Sequence, residues 1–125
     1  MYVAGRDHPN RPPARTFLRR VQNGSIEGCT STEVLQEILY RYSALRRRDL
    51  ARDVYNLFVQ ICPVVFDVSL ADTDLARDLL VDIEQVSARD ALHAAVMLNR
   101  EVAVIATFDR GFDVVPGIER YDLAR

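Results

Sequence analysis

Apolar and polar positions follow two rhythms along this chain, one helical and one of buried strand. Phe17, Leu18 and Val21 form a stripe over a helix predicted at about residues 12–21, where proline is tolerated in the first turn and Gly24 stands just past the end. Val34, Leu35, Ile38, Leu39, Tyr42 and Leu45 form a broader stripe, opened by Thr30-Ser31-Thr32-Glu33, which reads as a capping box. After a turn at 46–48, a third helix over about 49–61 carries Leu50, Val54, Leu57, Phe58 and Ile61 inward, and Pro63 stops it. A fourth, capped by Ser69-Leu70-Ala71-Asp72, carries Leu75, Ala76, Leu79 and Leu80. A fifth starts after Ser87, whose hydroxyl suits an N-cap. Its residues Ala91, Leu92, Ala94, Ala95, Val96 and Leu98 cover most of the circumference, which predicts burial.

Between the helices stand short apolar runs. Residues 64–68 read as a strand, and residues 102–106 as a continuous β-branched strand covered on both faces. Residues 26–29 make at best a short strand, and 114–121 hold a Pro116-Gly117 turn and an edge strand. The alternation predicts a single α/β domain over residues 1–125, with a mainly parallel sheet flanked by helices. In such sheets the working crevice lies outside the carboxyl ends of the strands. Asp109 stands there directly, and Asp90 lies in the first turn of the fifth helix.

Composition narrows the chemistry. All 16 basic residues are Arg, so chemistry that needs a Lys is excluded, including the Walker-type phosphate loop and the phosphoacceptor receiver domain. The net charge of −2 argues against holding nucleic acid by bulk positive charge, while leaving room for a local basic patch. Cys29 and Cys62 lack metal-type spacing and read as buried free thiols of a reducing compartment. No run approaches the roughly 20 apolar residues of a membrane span. The N-terminus shows no export-type apolar segment, so a cytoplasmic location is expected.

Three acids stand out as candidates for a shared site: Glu37, Asp90 and Asp109, with Asp113 as a further ligand. Converging carboxylates raise one another's pKa, and a divalent cation relieves the repulsion. An all-oxygen donor set favours Mg²⁺ or Mn²⁺ over zinc. Two such ions could position a water and stabilise the leaving oxygen in phosphodiester hydrolysis. Each acid also has a plain structural reading. Asp90 sits where a capping box would put it, Asp109 and Asp113 suit turns, and Glu37 suits a solvated helix flank. His93, on the Asp90 helix, reads as a buried, hydrogen-bonded residue. Arg41, Arg46, Arg47 and Arg48 are candidates for meeting phosphates, or simply a solvated turn.

Three blocks, TSTEVLQEILY (30–40), SARDALHAA (87–95) and TFDRGFD (107–113), resemble in order the successive blocks of the PIN-domain family, and most closely its VapC-type toxins. The resemblance implies a compact α/β fold and a Mg²⁺- or Mn²⁺-dependent ribonuclease. It matches Glu37, Asp90 and Asp109 to the family's second, third and fourth acids, Asp113 to a less constant one, and Thr107 to a Ser or Thr beside the site. It also implies an RNA substrate, an inhibiting antitoxin partner that covers the acidic groove, and a homodimer. Family members open with a strand ending in Asp. Residues 1–7 resemble the stretch after it, with Asp7 too late to replace that ligand, so the expectation is an N-terminally truncated domain whose natural start precedes Met1. The competing reading is a catalytically inactive remnant that only binds an antitoxin or a copy of itself.

Overall fold

The computed structural model describes residues 9–123, so Asp7 and the segment before it lie outside the described residues. The chain forms two compact units, Met1–Asp67 and Val68–Arg125.

In the first unit, α1 (Arg11–Gln22) starts on Pro12 and Pro13 and ends at Asn23, with the backbone N–H of Asn23 closing on Arg19. Val21 is buried with Ile61 and Cys62, and Phe17, Leu18, Ile26 and Leu57 pack around them. Strand β1 (Cys29–Ser31) lies slightly later than the sequence suggests. That shift corrects the reading of the next helix start. Thr30 and Ser31 are strand residues, and the N-cap of α2 (Thr32–Ala44) is Ser31, whose hydroxyl accepts from Val34 N–H at 3.3 Å. Val34 has no side-chain acceptor to return the bond, so the capping box expected at Thr30 does not form, and Glu33 acts instead as a first-turn anion.

Leu35, Ile38 and Tyr42 of α2 pack with Ala51 and Val54 of α3 (Arg48–Ile61). The α2 stripe is narrower than predicted, since Leu39 and Leu45 are exposed. The turn between these helices runs through Arg46 at φ 58, a left-handed conformation that costs a non-glycine residue about 1–2 kcal/mol. Strand β2 (Val64–Phe66) pairs in parallel with β1, Thr30 opposite Val65. Cys29 and Cys62 are free, as expected, but only Cys62 is buried; Cys29 is exposed at the edge of β1.

In the second unit, α4 (Leu70–Asp82) begins with a complete capping box: Ser69 Oγ accepts from Asp72 N–H, and Asp72 Oδ2 accepts from Ser69 N–H. Asp72 is 1% exposed. Its other oxygen accepts from Asn99 Nδ2 and from Arg100, each at 2.8 Å. The start of α4 is thereby tied to the end of α5 (Ala88–Asn99). Burial alone would push the Asp72 carboxyl up, but these donors outweigh it and hold it well below the usual carboxylate range. Between the helices lie Val86, Ala91, Ala94 and Val115, with Ala76, Leu79, Ile83, Leu98 and Ile118 around them. Small alanines on α5 allow the close approach that this packing needs.

Strand β3 (Val104–Ile105) pairs in parallel with β4 (Glu119–Arg120), after the turn at Gly117, whose φ of 86 suits glycine. β3 is shorter than the apolar run 102–106 predicts, and Val104 is 51% exposed, so cover on both faces is not found. A two-residue ladder with one described partner strand leaves that apolar run only partly covered. Parallel pairing, by contrast, is as expected, and occurs as two separate two-stranded ladders.

Candidate metal centre

In the second unit the end of β3 leads through Thr107 and Asp109 into a 3-10 turn, Arg110–Val114. Asp109 caps that turn: its Oδ1 accepts from Gly111 N–H at 2.8 Å, while its own N–H donates to Thr107 Oγ1 at 3.1 Å. The Gly111 bond thus sets the direction of the Asp109 side chain, and the Thr107 bond holds its backbone. Phe112, buried at 4% exposure, anchors the turn and meets the His93 ring of α5 at 6.5 Å between centroids. His93 itself is half-buried, where the sequence suggests full burial, and is not without a partner.

Asp90 comes to the same place from the other side. It is the third residue of α5, and its N–H donates to Ser87 Oγ at 3.1 Å. Its carboxylate faces Asp109 across Gly111. A methyl group on Gly111 would stand 2.7 Å from Asp90 Oδ2 and 3.0 Å from Asp109 Oδ1. Burial, and then the Asp109 charge, push the Asp90 carboxyl above its ordinary value, against the smaller opposing effects of the Ser87 hydroxyl and His93. The capping role of Ser87 and the pairing of Asp90 with Asp109 therefore coexist: the backbone of Asp90 closes the cap and its side chain serves the pair.

Asp113 lies one turn further on and is held by Arg120 of β4 through two bonds, at 2.7 and 3.1 Å. This guanidinium lowers the Asp113 pKa. Glu37 lies half-buried on α2 in the first unit and has a partner of its own. Among the described residues no group of three or more His, Cys, Asp or Glu side chains stands in metal-holding geometry. The donor set of the Asp90–Asp109 pair nevertheless fits a hard divalent cation. Mg²⁺ commonly takes one or two carboxylates and fills its remaining positions with water and substrate oxygens. Of the candidate phosphate-binding arginines, Arg47 is engaged by Asp49 at 3.0 and 3.1 Å, and Arg41, Arg46 and Arg48 are exposed.

Two residues of this region are not singled out by the sequence. Gly111 has a readable signal, the Asp-x-Gly spacing of a side-chain-capped turn. Arg120 has none, because the pairing of β4 with β3, not chain proximity, brings it to Asp113.

The PIN domain pattern matches residues 1–118. The chain is 38% identical over 120 residues to VapC ribonuclease Mb1869c of Mycobacterium bovis and to ribonuclease VapC13 of Mycobacterium tuberculosis, covering 96% of this chain and 92% of each relative. Ribonuclease VapC23 of Mycobacterium tuberculosis is 38% identical over 109 residues, 87% of this chain and 86% of the relative. No solved structure matches the chain.

Proposed function

The chain belongs to the PIN-domain family, and on that premise we propose that it is a divalent-metal-dependent ribonuclease, the toxin of a toxin–antitoxin pair. The reading rests on the relatives' ribonuclease identity and, within the molecule, on one observation: two carboxylates from separate elements converge over a residue with no side chain. Left alone, burial and then the nearby Asp109 charge both disfavour an ionised Asp90, so the arrangement costs free energy. A divalent cation turns the cost into a binding site.

Asp90 and Asp109 would hold Mg²⁺ or Mn²⁺, with Asp113 as a further acid of the same unit. Bound there, the ion would polarise a phosphoryl oxygen and make a coordinated water acidic. The protein's own part is orientation. The Ser87 cap fixes the start of α5, and the Thr107 and Gly111 bonds fix Asp109. Exposed Arg41, Arg46 and Arg48 would meet RNA phosphates by charge-assisted hydrogen bonds. An antitoxin peptide would inhibit by covering the acids, an Arg of its own satisfying the pair in place of the metal.

The test is cleavage of a mixed RNA pool by purified protein, stripped of metal and then given Mg²⁺ or Mn²⁺. Cleavage should appear only with the metal. Asp90→Asn and Asp109→Asn should each lower it by more than about a hundredfold, since each removes a ligand charge at nearly constant shape. Full activity in either variant, or activity in chelator, would refute the assignment.

A further inference from the structure

We infer that Gly111 is a positioning residue of the metal centre, required because it has no side chain. This rests on the reading of Asp90 and Asp109 as ligands. The observation is steric. A Cβ built at Gly111 falls 2.7 Å from Asp90 Oδ2, 3.0 Å from Asp109 Oδ1 and 3.6 Å from Asp109 Cγ. A Cβ essentially never lies under 3.0 Å from such an atom, so any larger residue forces a carboxylate to move. The backbone of Gly111 is not in the left-handed region, unlike that of Gly24 and Gly117. Chain conformation therefore does not explain the glycine here, and the space taken by the two acids does.

The same residue also acts through its N–H, which donates to Asp109 Oδ1. Gly111 thus holds one carboxylate by a hydrogen bond and leaves room for the other. Asp90 Oδ2 lies nearer the added carbon than Asp109 Oδ1 does, and Asp109 Oδ1 is also held by the Gly111 N–H. A methyl at position 111 displaces Asp90 first, by a rotation that costs the fold little and costs the metal a ligand. The effect falls on metal affinity rather than on folding.

Mn²⁺ titration calorimetry on the wild type, Gly111→Ala and Gly117→Ala tests this, with thermal unfolding of each in chelator. Gly111→Ala should bind Mn²⁺ at least about tenfold more weakly, the usual consequence of disturbing a ligand's support, with a near-normal melting temperature. Gly117→Ala should show the reverse: a lower melting temperature, from its φ of 86 and an approach of 3.2 Å to Leu98, and unchanged Mn²⁺ affinity. Wild-type affinity in Gly111→Ala overturns the inference.

Should Gly111→Ala fail to fold, Asp90→Ala/Gly111→Ala decides, because deleting the Asp90 carboxylate removes the 2.7 Å clash. Recovery of folding in the double variant supports the inference; a double variant as unstable as Gly111→Ala overturns it. A wild type that binds no Mn²⁺ refutes the metal reading instead, and the chelator series still reports on Gly111 by itself.

Discussion

The two units of this molecule handle charge in opposite ways. Residues 1–67 hold ten Arg against seven acids, a net of +3, while residues 68–125 hold six Arg against eleven acids, a net of −5. The basic unit keeps its ionic groups outside an apolar core of Leu35, Ile38, Tyr42 and Val54. The acidic unit buries one carboxylate, Asp72, in a network with Asn99 and Arg100, and brings two more together at Asp90 and Asp109. A chain with a net charge of −2 thus contains a region suited to phosphates and another suited to cations. Net charge alone conceals that division, which is the one the proposed activity, a cation acting on a polyanion, would use.

Asp72→Ala should have the largest effect on stability. It leaves the Arg100 guanidinium and the Ser69 cap without their partner, and should destabilise by about 3 kcal/mol, the lower end for a broken buried pair because Arg100 is partly exposed. Urea unfolding followed by circular dichroism measures it; a loss under about 1 kcal/mol would mean that this network is a surface feature in practice. The same carboxylate predicts a pH dependence. Its folded pKa is depressed, so its contribution is fully present above the ordinary value of about 3.9 and is lost as pH falls through that value toward the folded one. In Asp72→Asn this part of the acid sensitivity should vanish from a melting-temperature profile taken between roughly pH 2 and 6.

Ile38→Ala is the matching cut in the basic unit. Ile38 is 0% exposed, and the substitution should cost about 2–4 kcal/mol in transfer and cavity terms. Comparing it with Asp72→Ala asks whether the two units share one transition. If both variants shift a single unfolding curve, the chain folds cooperatively; if each moves a separate phase, the units are thermodynamically distinct.

The smallest effect tests the charge division itself. Arg46→Gly with Arg48→Gln removes two exposed cations, and the glycine relieves the left-handed φ of Arg46. Stability should rise slightly, by up to about 1 kcal/mol. RNA binding, measured on the inactive Asp90→Asn background, should weaken. The slope of log affinity against log salt should fall by about 0.7 for each phosphate that no longer meets an arginine. An unchanged slope would assign the RNA surface to other arginines.

Much of the local structure is legible in the residues. The helix starts at Ser69 and Ser87, the stop at Pro63 and the turn at residues 46–48 all follow from short-range chemistry: a hydroxyl that can cap, a ring without an N–H, a charged break in an apolar stripe. Asp90 and Asp109 are legible as candidates by the same kind of argument, since one follows a cap and the other ends a strand. The α2 start is read one residue early from the sequence because Thr30 followed by Glu33 has the spacing of a capping box. Only pairing with Val65 and Phe66 commits Thr30 and Ser31 to β1 and leaves the cap to Ser31.

The order of the elements, the apolar faces of the helices and the acids available for chemistry depend on neighbours within a few residues, so the chain's own order of side chains settles them. Which of those acids meet is a property of the folded unit. Asp90 and Asp109 stand 19 positions apart in the numbering and converge only because the 3-10 turn packs on α5 through Phe112 and His93. Arg120 reaches Asp113 only because β4 lies beside β3. The absence of a side chain at Gly111 acquires its meaning the same way. Nothing in a glycine's own chemistry says what must occupy the space beside it, and the two carboxylates that do so come from two separate elements of that unit.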